Sequence, residues 1–309
     1  MKKGLKRILI CFTAAALFLI LSAVSLQAAS VKAYHWADDP AVKAGGAWFR
    51  CATHWDTVDG EEILFYSIEM SKTSPTTGFT TLIESADLNG GFATDGKTIY
   101  YLEKNLFKSY VIKTGKTKVI KKLKAADGIY YEFHGFFKKK IWLIARERVC
   151  IAPALYSYNP KTKKFKTEKK KFLCFTAAAP TRYMVIVEKK AALSEKAGAT
   201  YKLKVYDKNT GKSTLITKKG IPVRTAAGGG GTSEYAGMGK KFAYGEYNKK
   251  KKAWQIKEYK TDKKKTYVLK TLKKGEKLVG ILWLGNRVLY TLSTDDGIAF
   301  TDDRMVKLK

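Results

Sequence analysis

The sequence predicts an all-β fold, a β-propeller of six four-stranded blades that follows an N-terminal signal peptide. Three observations predict this fold. Tyrosines recur in one local context about every 48 residues, and a turn and a second strand-like segment follow them. No segment beyond the N-terminus shows the apolar period of about 3.6 residues that marks an amphipathic helix. Four short antiparallel strands in each unit of roughly 40–50 residues are typical of a β-propeller.

The recurring tyrosines mark the ends of equivalent strands. Tyr110, Tyr158, Tyr206 and Tyr259 are 48, 48 and 53 residues apart, and Tyr66 precedes the first of them by 44 residues. A threonine stands four residues after three of these tyrosines, and a lysine stands six residues after four of them. Because glycine or a polar residue lies between two apolar runs, each segment is predicted to form a β-hairpin.

A further strand-like run, rich in aromatic and β-branched residues, precedes each hairpin and gives six units. These runs cover residues 48–51, 98–101, 141–144, 183–187, 241–244 and 287–290. A turn and another strand candidate precede most of them, as at 130–133 and 278–283. Each unit is therefore predicted to have four strands, and the β-propeller domain to cover residues 31–309.

The strand entry of one unit carries a recognisable motif. The run Asp95-Gly96-Lys97-Thr98-Ile99-Tyr100-Tyr101 fits the pattern D-G-x-x-[IL]-Y-[YF], and residues 285–290 fit it in part. In this motif and in its repeat length the chain resembles secreted six-bladed β-propellers of the TolB-like kind. The resemblance covers residues 31–309. It implies a binding scaffold with loops around a central channel and implies no particular chemistry.

Residues 1–28 have the order of a secretory signal peptide. Four basic residues between positions 2 and 7 precede an apolar run at 8–24, and small residues follow at 28–30. This order predicts cleavage, while the length of the uncharged stretch also permits a retained membrane anchor. Both alternatives place the rest of the chain outside the cytoplasm, secreted or on the extracellular face of the cell envelope.

The composition excludes two classes of protein and indicates a third. A hydrophobic fraction of 45% excludes a disordered chain, and four cysteines are too few for a disulfide scaffold. The 59 basic residues face only 27 acidic ones, which gives a net charge of +32. An exported protein with this charge is expected to collect at anionic wall polymers or lipid headgroups.

Most of the excess charge comes from lysine runs, which we assign to the outer hairpins of the blades. Lysine on an outer edge strand prevents edge-to-edge pairing, which explains its presence but not the lack of balancing acids. Sequence-specific recognition of nucleic acid is not expected, because base readout favours arginine. The candidate polyanion-binding residues are Lys121, Lys122, Lys169, Lys170, Lys171, Lys249, Lys250, Lys251, Lys252, Lys263, Lys264 and Lys265.

Catalytic and metal-binding motifs find no support in the sequence. Residues 91–98 match the P-loop pattern, but a strand-like run follows where a P-loop needs a helix, so a hairpin turn is favoured. Residues 293–300 resemble the Asp-box of sialidase-type propellers, with Ala299 and Phe300 departing from it. The three histidines lack metal-ligand spacing. We therefore expect no cofactor, no metal and no catalytic residue.

A few residues are candidates for a ligand site. Trp36, Trp55 and Trp283 could stack on a sugar or peptide, although core packing is the commoner position of tryptophan. Glu132 and His134 lie on a predicted innermost strand and could face the channel; a structural histidine is the alternative. A carbohydrate or a protein is the ligand that these residues would suit.

Two classes of function remain. We favour a non-enzymatic binding or scaffold protein associated with the anionic envelope through its lysine-rich outer hairpins. The alternative is an extracellular carbohydrate-active enzyme, glycosidase or sialidase-like, which would need two facing carboxylates. The acids to inspect for such a pair are Glu132, Glu147, Glu188 and Glu246.

Overall fold

A computed structural model describes residues 31–35, 41–147, 151–174, 182–188, 198–223, 240–293 and 303–309. These residues form twenty-two β-strands. The described part of the chain contains no helix, and hence none that could cross a membrane. The predicted signal peptide, residues 1–28, lies outside the described residues.

The first three blades each have four antiparallel strands in chain order. Blade 1 comprises β2 (Val42–Ala44), β3 (Ala47–Val58), β4 (Glu61–Ser71) and β5 (Thr80–Ser85). Blade 2 comprises β6 (Leu88–Thr94), β7 (Thr98–Glu103), β8 (Leu106–Val111) and β9 (Lys116–Lys122). Blade 3 comprises β10 (Tyr130–Phe137), β11 (Lys140–Arg146), β12 (Ile151–Asn159) and β13 (Lys164–Cys174). The strand β1 (Lys32–His35) pairs with β6 on the inner side of blade 2.

The last three blades follow the same order with three separate described strands each. Blade 4 contains β14 (Tyr183–Glu188), β15 (Tyr201–Asp207) and β16 (Lys212–Pro222). Blade 5 contains β17 (Lys241–Asn248), β18 (Ala253–Lys260) and β19 (Lys265–Thr271). Blade 6 contains β20 (Lys277–Leu284), β21 (Arg287–Ser293) and β22 (Asp303–Lys307). The predicted all-β class with successive antiparallel blades is confirmed.

Blades 3, 4 and 5 differ from the prediction because they share one ten-stranded sheet. The end of β13, residues 172–174, pairs with β14, and the end of β16, residues 221–222, pairs with β17. Each outer strand is eleven residues long, so its last residues reach the next blade and serve there as the innermost strand. Sequence spacing alone treats such an extension as part of one strand.

The tyrosine repeat is structural and lies on equivalent strands. Tyr110, Tyr158, Tyr206 and Tyr259 all occupy the third strand of their blade, and each pairs with the residue seven positions later. The predicted hairpins are therefore confirmed, with the same register in blades 2 to 5.

The hairpin turns share one left-handed position, five residues after the tyrosine. Gly115, Lys163, Gly211 and Lys264 have φ angles of 64°, 55°, 70° and 50° there. Left-handed backbone is natural for glycine and strained for lysine. In the two glycine turns the glycine amide donates a hydrogen bond to the carbonyl oxygen four residues earlier. This distance is 2.9 Å from Gly115 to Val111, and the corresponding distance from Gly211 is 2.8 Å.

Neighbouring blades are held together by aromatic and aliphatic side chains. Phe107 of blade 2 meets Tyr158 of blade 3 edge to face, with ring centroids 5.3 Å apart. Trp142 of blade 3 and Tyr206 of blade 4 lie in one buried cluster, and a larger cluster joins blades 4, 5 and 6 around Trp283. These interfaces bury the faces of the sheets, which a single blade could not cover.

Blades 1 and 2 come into backbone contact at two glycines in equivalent turns. A Cβ on Gly96 would lie 2.5 Å from the Cα of Gly45, and a Cβ on Gly45 would lie 2.8 Å from the Cα of Gly96. Both contacts are with backbone atoms, which cannot move aside as a flexible side chain can. Gly96 is the glycine of the strand-entry motif, so its requirement is explained by this contact.

We predict that Gly96→Ala destabilises the fold much more than Gly60→Ala does. Gly60 has a similar φ of 86°, against 82° for Gly96, but a Cβ on Gly60 would meet no atom within 4 Å. Both variants should lose about 1–2 kcal/mol from left-handed strain. Gly96→Ala should lose roughly 1–3 kcal/mol more, because the blades must separate. Denaturant unfolding of both variants measures the difference, and equal losses would contradict the close approach.

Candidate functional site

The strongest chemical feature of the structure is a set of exposed lysines on the outer strands and turns. Lys169 is half-buried, with its ammonium 5.6 Å from the ring centre of Tyr206, and the side chain of Lys171 lies outside the described part. The other predicted polyanion-binding lysines are fully on the surface. We call this exposed set the lysine rim: Lys121, Lys122, Lys170, Lys249, Lys250, Lys251, Lys252, Lys263, Lys264 and Lys265.

One run of the lysine rim lies elsewhere than predicted. Residues 249–252 form the turn between β17 and β18, the second and third strands of blade 5, rather than an outer hairpin. Asn248 holds this turn by accepting a hydrogen bond from the amide of Lys251 over 3.0 Å. Lys252 takes the left-handed conformation at the end of the turn. Four consecutive ammonium groups therefore project from one tight turn.

The lysine rim is not neutralised by the described part of the chain. Across the described part of the chain, no residue of the rim forms an ion pair with an acid. The lysines that do form ion pairs lie outside the rim; two of them, Lys108 and Lys257, are on third strands and are largely covered. The positive charge of the rim is thus available to an external anion.

Exposed apolar side chains accompany the lysines at one repeated position. Val119, Leu215 and Val268 each stand nine residues after the recurring tyrosine, on the outer strand of blades 2, 4 and 5. Their exposed fractions are 47%, 42% and 42%. The outer strands therefore present aliphatic groups beside ammonium groups, which a purely electrostatic surface would not require.

The acids of the second strands are engaged in contacts between blades. Glu103 of β7 binds Lys108 and accepts a hydrogen bond over 3.2 Å from Ser85 of blade 1. Glu246 of β17 likewise binds Lys257 and accepts from Thr217 of blade 4. Each glutamate stands four residues after the partner of the recurring tyrosine, so the contact repeats with the blades. We call these two groups the hydroxyl–Glu–Lys contacts.

Glu168 is the centre of a third acidic contact, in β13 of blade 3. It accepts hydrogen bonds from Ser157 over 2.7 Å, Lys140 over 2.9 Å and Lys166 over 3.0 Å. Burial raises the pKa of Glu168, but these three donors outweigh it, and the pKa lies below its usual value. Burial also raises the pKa of the neighbouring Tyr206 to about 12, so its phenol stays neutral.

We predict that Glu168→Gln lowers stability at neutral pH and that the loss fades in acid. The folded-state pKa of Glu168 is lowered, so its contribution is present above the unfolded-state pKa and is lost as pH falls through the folded one. The difference in melting temperature between the variant and the original chain should therefore shrink below about pH 4.5. Thermal unfolding from pH 7 to pH 3 measures it. A constant difference would show that the charge of Glu168 contributes nothing.

The predicted aromatic ligand residues have different environments. Trp55 is 65% exposed, near the tip of the long β3–β4 hairpin. Trp283 is 1% exposed and packs in the cluster of blades 4 to 6, because it faces the blade interface from β20. It therefore cannot stack on a ligand without opening the core. Trp36 lies outside the described residues.

His134 is buried, whereas Glu132 is partly exposed and ion-paired. His134 is 1% exposed and lies where β10 shifts its register, next to Gly135. Irregularities of this kind turn side chains away from their regular direction. Glu132 binds the buried guanidinium of Arg146 over 2.6 Å. His134 thus lies in the interior of blade 3, whereas the Glu132 side chain keeps 35% of its surface exposed.

The acids considered for glycoside cleavage have different environments. Glu132 and Glu246 are each bound to a basic group, and Glu147 is exposed. The side chain of Glu188 lies outside the described part. The described residues contain no group of histidine, cysteine or carboxylate side chains that could hold a metal ion.

The P-loop match at residues 91–98 is a hairpin turn between β6 and β7, as favoured from the sequence. Asp95 accepts hydrogen bonds from the amides of Lys97 and Thr98 over 2.9 and 2.8 Å, which shapes the turn. Strand β7 begins at Thr98, so no helix amides are present to bind phosphate. Most of the Asp-box resemblance at 293–300 lies outside the described residues.

Sequence reasoning missed the β3–β4 hairpin as a feature of its own. We call its outer part, residues 53–64, the acidic arm. These residues include Asp56, Asp59, Glu61 and Glu62 and contain no lysine or arginine. In a chain with a net charge of +32, such a run was a visible signal. The tyrosine repeat gave no indication of it, because the described parts of the other blades contain no counterpart.

No protein-family model matches the sequence, and no curated protein sequence matches it. Several solved structures are similar to most of the chain. TolB from Acinetobacter baumannii is 17% identical, covering 78% of this chain and 59% of TolB, with a TM-score of 0.31. The β-propeller domain of the Trilobed protease from Pyrococcus furiosus is 11% identical, covering 85% and 80%, with a TM-score of 0.40. An oligogalacturonate lyase from Vibrio parahaemolyticus is 10% identical, covering 88% and 80%, with a TM-score of 0.39.

The chain thus spans about three fifths of the length of TolB. Identities below 25% and TM-scores below 0.5 assign no function to it, and the names of these proteins describe those proteins alone.

Proposed function

We propose that this chain is an exported, non-enzymatic binding or scaffold β-propeller held at the anionic cell envelope by its lysine rim. Its ligand in this role is a phosphate-rich polyanion, supplied either by a wall polymer or by lipid headgroups. The observation that carries the proposal is the exposed positive charge of the rim, which no acid of the described chain neutralises.

The distribution of this charge supports a broad, weakly selective contact. Residues 112–124 contain six lysines and no acid, and residues 260–274 contain seven lysines and one acid. An extended polyanion can bridge such separate clusters, and each cluster adds a modest share of the binding free energy. Lysine suits this role because it presents a flexible point charge and not the planar fork that reads a defined group.

The exposed apolar row supports a second component of binding. Val119, Leu215 and Val268 would contact the acyl boundary of a membrane, as apolar side chains do beside basic residues at lipid surfaces. A soluble wall polymer offers no such contact. The same row therefore distinguishes the two sources of phosphate.

We predict that neutralising the lysine rim in steps weakens polyanion binding in steps. The full-length chain, expressed in a cell that exports it, would be tested against a poly(glycerol phosphate) resin and against anionic vesicles. Changing Lys249–Lys252 to glutamine should lower the affinity only partly, about tenfold or less, because the charge is spread over several blades. Adding the same change at Lys263–Lys265 should lower it further. Changing the same residues to arginine is the matched control and should preserve binding.

A companion variant tests the apolar row. This variant replaces Val119, Leu215 and Val268 with threonine. Threonine is β-branched and compatible with a strand, and every lysine is kept. Loss of vesicle binding with unchanged resin binding would identify lipid headgroups as the source; no change in either would identify the wall polymer. Binding that survives all the glutamine changes would contradict the proposal and leave the lysines as protectors of the sheet edges.

A further inference from the structure

The acidic arm is a two-stranded ribbon that extends beyond its own blade. Strands β3 and β4 stay in register from Trp48–Ser71 to Val58–Glu61. The neighbouring strands stop earlier, because β2 pairs only as far as Phe49 and β5 only as far as Tyr66. Within the described chain, the ribbon beyond these points has no third strand. From Thr53 to Val58 it is about 17 Å long, at roughly 3.4 Å per residue.

The arm carries exposed apolar side chains as well as acids. Trp55 and Val58 are exposed, and nearly every residue from 53 to 62 lies on the surface. Stacked rings of His54 and Phe65, with centroids 5.7 Å apart, stiffen the ribbon at its base. A two-stranded ribbon is only marginally stable in water. Its free strand edges and its tryptophan would both gain from a partner that covers them.

The outer edge of β9 is complementary to the arm in three respects. Among the described residues β9 pairs only with β8, so its other edge is unpaired. It exposes Val119 between lysines at positions 116, 118, 121 and 122. Two such lysine-rich edges repel one another, so a strand that pairs with this edge must bring negative charge. The arm has a free edge, an apolar residue and four carboxylates.

We propose that the arm of one copy of this chain docks along the outer edge of β9 of a second copy. Backbone amide and carbonyl groups of the two free edges pair, Trp55 covers Val119, and the arm's carboxylates face the lysines of β9. The arm and the edge are different surfaces of one copy. Two copies can therefore exchange arms in a closed pair, or further copies can join head to tail into a ring or an open chain.

This inference goes beyond the proposed polyanion binding, although the two meet at β9. An added polyanion competes with the arm for Lys121 and Lys122 and should dissociate the copies. Binding of polyanion does not require the arm, since the remaining clusters of the rim lie on other blades. The two proposals can therefore fail separately.

The contact can be tested by cross-linking between copies of the exported full-length chain. A photo-reactive phenylalanine derivative would replace Thr57, which is exposed at the arm. Mixing copies of normal and heavy isotopic content distinguishes links between copies from links within one copy. We expect mixed-isotope links from the arm to residues 116–124. Links only within one copy, or links elsewhere on a second copy, would overturn the proposal.

Reciprocal charge reversal tests the pairing itself. An arm-reversed variant carries Asp56→Lys, Glu61→Lys and Glu62→Lys, and an edge-reversed variant carries Lys118→Glu, Lys121→Glu and Lys122→Glu. Each variant alone should lose about tenfold or more of the mixed-isotope links, because like charges now face each other. A mixture of the two should restore them, since the reversed arm of one then faces the reversed edge of the other.

A matched control separates this effect from net charge. Glu84→Lys, Asp127→Lys and Glu147→Lys change the net charge as much as the arm reversal does, at other exposed positions. The control should keep the links at their original level. Equal loss in the control, or no recovery in the mixture when both variants melt like the original chain, would overturn the proposal. The arm-reversed variant should still bind the poly(glycerol phosphate) resin, whether or not it loses the links between copies.

Discussion

The packing of each blade against the next is the interaction on which the rest of the structure depends. A four-stranded sheet has two apolar faces and cannot cover them alone, so Phe107 must meet Tyr158, and Trp142 must meet Tyr206. This requirement fixes where polar groups can go. Gly45 and Gly96 bring two blades into backbone contact, and Ser85 and Thr217 join Glu103 and Glu246 across blade boundaries.

The segregation of charge follows from this packing. The few acids of the second strands lie between blades, where lysines of the third strands bind them, as in the hydroxyl–Glu–Lys contacts. The outer strands and turns face solvent and carry more lysines than acids. Other acids gather in the acidic arm. The molecule thus combines satisfied charge between its blades with unsatisfied positive charge at its edge and negative charge on one projecting ribbon, and both proposals depend on that separation.

Local repeats were predictable from the sequence, and contacts that depend on register were not. The tyrosine strands and the turns at Gly115 and Gly211 were visible because they recur with fixed spacing. The same left-handed turn could not be predicted at Lys163 and Lys264, since lysine does not indicate left-handed backbone. The sheet shared by blades 3 to 5 could not be predicted. Only three residue pairs join blades 3 and 4, only two join blades 4 and 5, and so few pairs leave no pattern in the sequence. Trp283 is buried and Trp55 is exposed, in line with the apolar neighbours of the first and the polar neighbours of the second.

The salt dependence of polyanion binding tests the central claim most directly. Binding through the lysine rim releases counterions, so the logarithm of the association constant should fall linearly with the logarithm of salt concentration. The measurement would use the exported chain on poly(glycerol phosphate) and on anionic vesicles, across a salt series. We expect a slope that corresponds to the release of several counterions, and a shallower slope for each lysine cluster changed to glutamine. The chain should elute completely well below about 1 M salt. An affinity that does not change with salt would contradict electrostatic binding through the rim.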